Sequence, residues 1–282
     1  MSKASNLLFP YSVRTNSKGE LYVTDTFNHR IRKLEKDRLV GVTGGSDGSS
    51  LRFPADMAFT ETNDLVISDS DHDQLVVLKS RTGQLSKLKE ISIQSGKPEP
   101  FGSPTQLDVF AGSVYLADTL KNRILIINLD SKSAKSIEVH KPLGIAVNRK
   151  TGNITFTQRG SNSVFVCKNG NIEPLAGSSL FGFTDGQGTA ASFFEPYGLS
   201  SKEDGSILVA DAGNHSIREV SLDGYVTTLA GNRTKGFADG TEALFHYPMG
   251  VTSGPDGVVF VADTYNHKIR KIFPNLEVET VA

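Results

Sequence analysis

The chain has 282 residues, of which 38% are apolar and 22% charged, and its formal net charge is −1. This composition is typical of a folded globular protein, and the near-zero charge gives no global attraction to nucleic acid or to an anionic membrane. A single cysteine, Cys167, excludes an internal disulfide. No run of about 18 apolar residues predicts a membrane-spanning helix, and no signal peptide is recognised, so we expect a cytoplasmic protein.

An acidic residue ends a short apolar segment five times along the chain, and a proline precedes each one at a nearly constant distance. The prolines are Pro10, Pro54, Pro104, Pro142, Pro196 and Pro248. The acids are Asp25, Asp69, Asp118, Asp211 and Asp263, with Gln158 in the equivalent position of the fourth unit. The proline-to-acid distances are 15, 15, 14, 16, 15 and 15 residues. Such regularity indicates six copies of one structural unit.

Each unit predicts four short strands in the same order. In the first unit they are PYSVRT, LYVTD, RIRKL and RLVGVT. These segments are rich in β-branched residues, are separated by Gly, Asp and Asn turns, and show no sustained helical period. In the second unit the fourth strand is placed on LSKLKEI, residues 85–91.

Four strands repeated every 40–50 residues or so are the signature of a β-propeller blade. The sequence therefore predicts an all-β, six-bladed β-propeller with four antiparallel strands per blade. This single domain, 1–282, can equally be one part of a longer protein, and packing between the first and last blades is expected to close it. The approximate blades are 9–45, 53–95, 103–140, 141–177, 195–231 and 247–282.

One phrase occurs three times, as VTDTFNHRIRKL at 23–34, VADAGNHSIREV at 209–220 and VADTYNHKIRKI at 261–272. Asn-His forms a turn in it, and the following Ile begins the third strand on a packed face. The next residue is Arg32, Arg218 or Arg270, which must find a carboxylate if buried, and the repeat acid is the expected partner. The three histidines lie on different blades, about 10 Å or more apart, too far to share one zinc ion.

These units resemble NHL repeats, which are named for an Asn-His-Leu turn, strongly in units 1, 5 and 6 and more weakly in units 2, 3 and 4. The resemblance implies a six-bladed propeller that serves as an interaction platform for protein partners or, in some members, single-stranded RNA. A few members are enzymes, such as a peptidylglycine lyase with zinc and calcium ligands. The first strands should line the channel, and neither His nor Cys occurs among the residues expected there: Tyr11, Ser12, Asp56, Gln106, Tyr197 and Met249.

Other catalytic and ligand motifs are incomplete. Asp69, Asp71 and Asp73 have calcium-loop spacing, but the glycine and glutamate that such a loop requires are replaced by Gln74 and Ser80. No Gly-x-Ser-x-Gly elbow is present, and no lysine follows the glycines of residues 178–188 in phosphate-binding register. We therefore predict no catalytic residue, no metal and no cofactor.

The loops before each first strand and the turns between second and third strands are expected to share one face at the channel mouth. Aromatic residues interleaved with cations on that face suit a peptide or stacked bases, although the phenylalanines can also fill gaps between blades. The candidate binding residues are Arg30, Lys121, Arg123, Arg159, Phe183, Arg233, Phe237 and Lys268.

The predicted function is that of a non-enzymatic, monomeric scaffold that binds a protein or peptide partner and no membrane. Single-stranded RNA binding on the same face is one alternative. A metal-dependent lyase or lactonase acting at the central channel is the other, and it rests only on the channel of the fold.

Overall fold

The computed structural model describes residues 7–44, 51–93 and 96–282. Their strands form six sheets, and each sheet contains four antiparallel strands in sequential order, as a six-bladed β-propeller requires. The predicted fold class is confirmed. Within the described residues no helix is long and apolar enough to cross a membrane. That the six blades make up one domain of their own stays a prediction.

The first three blades have these strands. Blade 1 contains Pro10–Thr15, Leu21–Asp25, Arg30–Glu35 and Arg38–Gly44. Blade 2 contains Pro54–Phe59, Leu65–Asp69, Gln74–Leu78 and Leu85–Leu88. Blade 3 contains Pro104–Phe110, Ser113–Asp118, Arg123–Asn128 and Ser133–Glu138, with Glu90–Ile93 and Pro98–Pro100 added at its outer edge.

The last three blades follow the same plan. Blade 4 contains Pro142–Val147, Ile154–Gln158, Val164–Lys168 and Asn171–Ala176. Blade 5 contains Pro196–Ser201, Ile207–Asp211, Ser216–Val220 and Tyr225–Ala230, with Gly186–Gln187 at its outer edge. Blade 6 contains Gly250–Ser253, Val259–Asp263, Lys268–Ile272 and Val278–Thr280. Three-residue 3-10 turns lie at Thr26–Asn28, Ser70–His72, Thr119–Lys121, Gly188–Ala190, Ala212–Asn214, Pro255–Gly257 and Thr264–Asn266.

The register of the first hairpin explains the nearly constant spacing from proline to acid. Pro10 lies opposite Asp25, and Pro196 lies opposite Asp211, in antiparallel pairs. In blade 4, Pro142 lies opposite Gln158 in the same way. The two residues mark the open end of one hairpin, and their separation therefore equals the length of its two strands and its turn.

The fourth strand of blade 2 differs from its predicted extent, Leu85–Ile91. It ends at Leu88, and the following strand, Glu90–Ile93, runs parallel to the outer strand of blade 3. Ile91 is fully buried among apolar side chains of blades 2 and 3, and this packing draws the chain across to the next blade.

Apolar layers between neighbouring blades form the core. Between blades 6 and 1 the buried side chains are Leu7, Val13, Leu21, Val23, Ala262, Ile269 and Ala282. The Thr264 hydroxyl also donates to the Pro10 carbonyl at 2.8 Å, and the Thr15 hydroxyl donates to the Ser253 carbonyl at 3.0 Å. Blades 1 and 6 therefore meet by packing and side-chain hydrogen bonds, and among the described residues neither sheet contains a strand of the other blade.

Candidate functional site

The histidine of the repeated turn joins each strongly matching blade to the next one. His29, His215 and His267 have φ near 55°, and their Nδ1 atoms accept a backbone N–H from the residue before the next first-strand proline. The donors are Phe53 at 3.2 Å, Tyr247 at 3.1 Å and, across the blade 6–blade 1 junction, Phe9 at 3.0 Å. Each Nδ1 atom must therefore carry no proton, because only an unprotonated ring nitrogen can accept this hydrogen bond.

Blades 2, 3 and 4 make the equivalent bond without histidine. Asp73 accepts the Ser103 N–H at 2.6 Å. Asn122 accepts the Lys141 N–H at 3.0 Å, and Asn162 accepts the Glu195 N–H at 3.2 Å. The histidine is thus one of three side chains that supply the same acceptor, and its recurrence is explained by ring assembly without a ligand.

The repeat acid organises the same corner of the blade. Asp211 accepts the Phe194 N–H at 2.8 Å, the Asn214 amide at 2.8 Å and Arg218 at 2.8 Å. Burial raises the pKa of Asp211 to about 6, against the opposing effect of these three donors. Burial also raises the pKa of Asp118 and of Asp263.

The expected pairing of the repeated arginines with the repeat acids is confirmed. Arg218 and Arg270 lie 2.8 Å from Asp211 and Asp263, and Arg32 lies 3.5 Å from Asp25. The pairs all form within one blade. Because a buried guanidinium without a partner is costly, the acid in each unit makes the arginine tolerable in the core.

The two long loops add a second carboxylate and two rings to this pair. In blade 6, Arg270 also binds Asp239 at 2.7 Å and lies between Phe237 and Phe245, with 4.9 and 5.1 Å from its guanidinium carbon to the ring centroids. In blade 5 the corresponding set is Asp185 at 2.5 Å, Phe183 at 4.7 Å and Phe193 at 5.2 Å. Phe183 and Phe237 thus have a structural contact in addition to any binding role.

A continuous series of aromatic rings crosses the loop-rich face from blade 5 to blade 2, and we call it the aromatic arc. Adjacent ring centroids are 6.4 Å apart for His215 and Tyr247, 5.3 Å for Tyr247 and Tyr265, and 5.2 Å for Tyr265 and Phe9. The series continues at 4.7 Å to Phe27 and at 4.8 Å to Phe53. The members of the arc are His215, Tyr247, Tyr265, Phe9, Phe27 and Phe53.

The sequence interpretation missed the arc, although two repeat positions encode five of its six rings, all but the turn histidine His215. One is the residue before the first-strand proline, which is Phe9, Phe53 or Tyr247 in the three aromatic cases. The other is the second residue after the repeat acid, which is Phe27 or Tyr265. Consecutive blades place these two positions side by side. Alignment of the six units on their prolines and acids therefore contains the signal.

A pocket of about 270 Å³ opens at the channel mouth beside the arc. Tyr11, Tyr197, Phe53, Leu120 and Arg159 lie in its wall. Burial raises the pKa of both tyrosines, which therefore remain neutral hydroxyls near pH 7. The pocket thus combines apolar side chains with several hydroxyl groups, the cation of Arg159 and the carboxylate of Asp71.

The predicted binding residues lie at this end of the blades but differ in accessibility. Lys121, Arg159 and Arg233 are exposed, and Lys268 is half-buried. Arg30 is half-buried and binds Asp25 at 2.8 Å. The side chain of Arg123 is only 6% exposed and binds Asp118 at 2.7 Å and Glu99 at 2.6 Å, which leaves little of it for a partner.

The first-strand residues predicted to line the channel do so. Tyr11, Ser12, Asp56, Gln106, Tyr197 and Met249 surround a cavity of about 10 Å³, which is room for one water molecule at most. Across the described ranges 7–44, 51–93 and 96–282, no group of three or more His, Cys, Asp or Glu side chains is arranged to hold a metal ion. Asp69, Asp71 and Asp73 each face a different protein donor: Gln74, Arg52 and the Ser103 N–H.

Comparison with known proteins identifies one family. The model of the NHL repeat matches residues 245–272. The chain is 28% identical to Protein SUPPRESSOR OF QUENCHING 1, chloroplastic, of Arabidopsis thaliana, over 93% of this chain and 25% of that protein. It is 26% identical to human NHL repeat-containing protein 2, over 87% of this chain and 42% of that protein. The chain thus spans about a quarter to two fifths of the length of these relatives.

Solved structures share the architecture at low identity. A protein of unknown function from Bacteroides thetaiotaomicron has a TM-score of 0.77 at 19% identity, over 95% of this chain and 70% of that one. Catalytically inactive virginiamycin B lyase from Staphylococcus aureus, crystallised with quinupristin, has a TM-score of 0.67 at 15% identity, over 98% and 85%. A chain of a nidogen/laminin complex has 0.67 at 16%, over 90% of each. The TM-scores establish a common fold, and at these low identities nothing further follows.

Proposed function

Because the chain belongs to the NHL-repeat family, we propose that it is a non-enzymatic scaffold that binds a protein or peptide on its loop-rich face. The observation that carries the proposal is the aromatic arc beside the channel-mouth pocket. A propeller fold alone does not assign a function, and this surface is the feature that supports one.

The arc supplies the residue types that anchor protein interfaces. Phe27 and Tyr265 are 37% and 48% exposed, although both also pack against Phe9. Aromatic side chains that are rigidly held and partly exposed provide large contact areas at a low cost in conformational entropy. A partner laid along the arc would cover these rings and withdraw their remaining surface from water.

The pocket beside the arc supplies a place for one side chain of the partner. Its volume of about 270 Å³ suits a single aromatic or long acidic side chain, with Arg159 as the cation at its edge. Asp71 in the same wall binds Arg52 at 2.6 Å. We therefore expect a partner segment that combines an apolar side chain with a carboxylate.

The surrounding cations extend this preference over the face. Lys121, Arg233 and Lys235 are exposed there, and Lys268 is half-buried. Such a rim steers acidic partners and contributes more to association rate and selectivity than to affinity. An acidic peptide with one or two aromatic residues is the chemistry that this face fits best.

Selection of peptides from a random displayed library against the protein tests the proposal. We expect selected peptides to be acidic and aromatic, and the Tyr265→Ala and Phe27→Ala variants to bind them at least about 10-fold more weakly, since truncation of an interface anchor costs more than ~1.4 kcal/mol. Tyr225→Ala is the matched control, because Tyr225 is as exposed as Tyr265 but lies on the fourth strand of blade 5, outside the arc. Equal losses in all three variants, or none, would remove the arc from the proposal.

Single-stranded RNA is the second candidate, because exposed aromatic rings next to cations also suit stacked bases. Its signature is binding to a mixed-sequence oligoribonucleotide that weakens linearly with salt on logarithmic axes. Retention of that oligonucleotide together with failure of the peptide selection would replace the peptide proposal. The cytoplasmic localisation stays a prediction, since one relative is described as chloroplastic.

A further inference from the structure

A second and larger cavity lies at the opposite end of the channel, where first strands end and turn into second strands. Its volume is about 740 Å³, which is in the range of small-molecule sites. Arg14, Asp108 and Arg149 lie in its wall, together with Ser200 and Ser253. The 10 Å³ constriction around Gln106 separates it from the channel-mouth pocket, so the two openings are independent sites.

Arg14 is a buried cation in this wall. Its side chain binds Asp56 at 2.6 Å and donates to the carbonyls of Met57 at 3.1 Å and Leu107 at 3.3 Å. Its Nη1 reaches the Leu199 carbonyl at 3.5 Å, the outer limit of a hydrogen bond, and thus retains donor capacity. Burial opposes the charge, but Asp56 and Asp108 more than offset this effect and raise the pKa of Arg14.

Next to Arg14, the wall contains a hydrogen-bond acceptor, Asp108, beside a donor, Arg149. Arg149 binds Asp108 at 2.6 Å, donates to the Val109 carbonyl at 2.6 Å and lies 5.7 Å from the centroid of the Phe110 ring. Asp108 also accepts the Val147 N–H at 2.8 Å. These bonds fix both charged groups, so they are preorganised for a ligand at the cavity surface.

Charges of both signs lie in the wall. The cations are the guanidinium groups of Arg14 and Arg149, and the carboxylates are those of Asp108, Glu61 and Glu203. An anion would meet the carboxylates, and a cation would meet the guanidinium groups. A ligand that carries many hydroxyl groups satisfies both, because each hydroxyl donates one hydrogen bond and accepts others.

Two further features point to a carbohydrate. Phe59 and Phe110 add aromatic surface to the wall, which suits the apolar C–H face of a sugar ring. A neighbouring cleft of about 540 Å³ between blades 2 and 3 shares Thr60, Glu61 and Val109 with the cavity. Together the cavity and the cleft extend outward from the channel and have room for more than one ring.

We propose that this face binds a neutral oligosaccharide, with Arg14, Asp108 and Arg149 as hydrogen-bonding groups and Phe110 as a stacking surface. The site is distinct from the loop-rich face and does not depend on the function proposed for it.

Calorimetric titration of the whole chain with cellotetraose, maltotetraose and chitotetraose tests this proposal. We expect at least one of them to bind with Kd of about 1 mM or tighter, and Arg149→Ala and Phe110→Ala each to weaken that binding at least about 10-fold. Arg149 is 38% exposed, so its replacement spares the core. Glu61→Gln, which removes a carboxylate charge and keeps the shape of the side chain, is the second variant, and we expect at least about a threefold weakening.

Tyr265→Ala, on the opposite face, is the control and is expected to leave saccharide binding unchanged. Tetragalacturonate and the chitosan tetramer report on charge, and both should bind more weakly than the neutral tetramers. The proposal is overturned if no neutral tetramer binds at about 10 mM, if a charged tetramer binds most tightly, or if Arg149→Ala and Phe110→Ala have no effect.

Discussion

Blades 5 and 6 fill one core position with arginine, whereas blades 2 and 3 fill the same position with Val76 and Leu125. All four side chains are fully buried, and each lies on the third strand of its blade. The arginine occurs with a long preceding loop that returns a carboxylate and a phenylalanine to it, as Asp239 and Phe237 do for Arg270. The propeller therefore accepts a charge in its core when a loop supplies the partners.

The aliphatic and the arginine side chains at this position depend differently on their neighbours. An aliphatic side chain contributes burial free energy wherever it packs and depends on no particular partner. The arginine depends on two carboxylates, backbone carbonyls and two rings at once, so the loss of any one leaves a charge incompletely satisfied. The loops of blades 5 and 6 are therefore part of the core of those blades.

Replacement of the buried arginine should have the largest effect. Arg270→Met removes the cation and leaves Asp263 buried without it, so we expect the free energy of unfolding to fall by about 3–5 kcal/mol. Leu125→Met is the matched control in blade 3 and should cost less than about 1.5 kcal/mol. Chemical denaturation of both variants measures the difference, and equal losses would refute the distinction between the two kinds of blade.

Removal of an inter-blade histidine should have an intermediate effect. His267→Ala deletes the acceptor for the Phe9 N–H, and we expect a loss of about 0.5–1.5 kcal/mol in the free energy of unfolding. His267→Asn should retain most of it, because asparagine makes the same bond in blades 3 and 4. If the two variants are equally destabilised, the acceptor role assigned to this turn is wrong.

The pH dependence of the free energy of unfolding also separates blades 5 and 6 from blades 2 and 3, by a smaller effect. Burial lowers the pKa of His215 and His267, with a smaller contribution from the cations or imidazoles nearby. The unfolded chain therefore binds protons first as the pH falls below about 6.5, and stability decreases by at most ~1.4 kcal/mol per pH unit for each histidine. The contribution is fully present above that pH and is lost as the pH falls toward the folded-state values.

Comparison with the double variant His215→Asn and His267→Asn isolates the pH-dependent contribution of these two histidines to stability. The buried acids, including Asp211 with its pKa near 6, act in the opposite direction, but they are common to both proteins. We expect the wild-type protein to lose stability relative to the variant between about pH 6.5 and 5, in denaturation series at fixed salt. A pH-independent difference would show that these histidines do not titrate with folding.

The number of blades, the strand order and the pairing of Arg218 and Arg270 with the repeat acids could all be predicted from the sequence. These features follow from local periodicity, from the hairpin length between Pro10 and Asp25, and from the cost of an unpaired buried charge. Blade 2 marks the limit of such reasoning, because Ile91 is apolar in either sheet and only its packing against blade 3 decides which sheet it joins.

Which charged and aromatic residues remain accessible is set by the tertiary structure and could not be predicted from the sequence. Arg123 and Arg159 look alike in the sequence, yet Glu99 from a distant strand buries the first and leaves the second at the channel mouth. The aromatic arc and the cavity around Arg14 likewise combine side chains from four or more blades. Contacts between residues so far apart in the chain are set by the closure of the ring, and no local pattern specifies them.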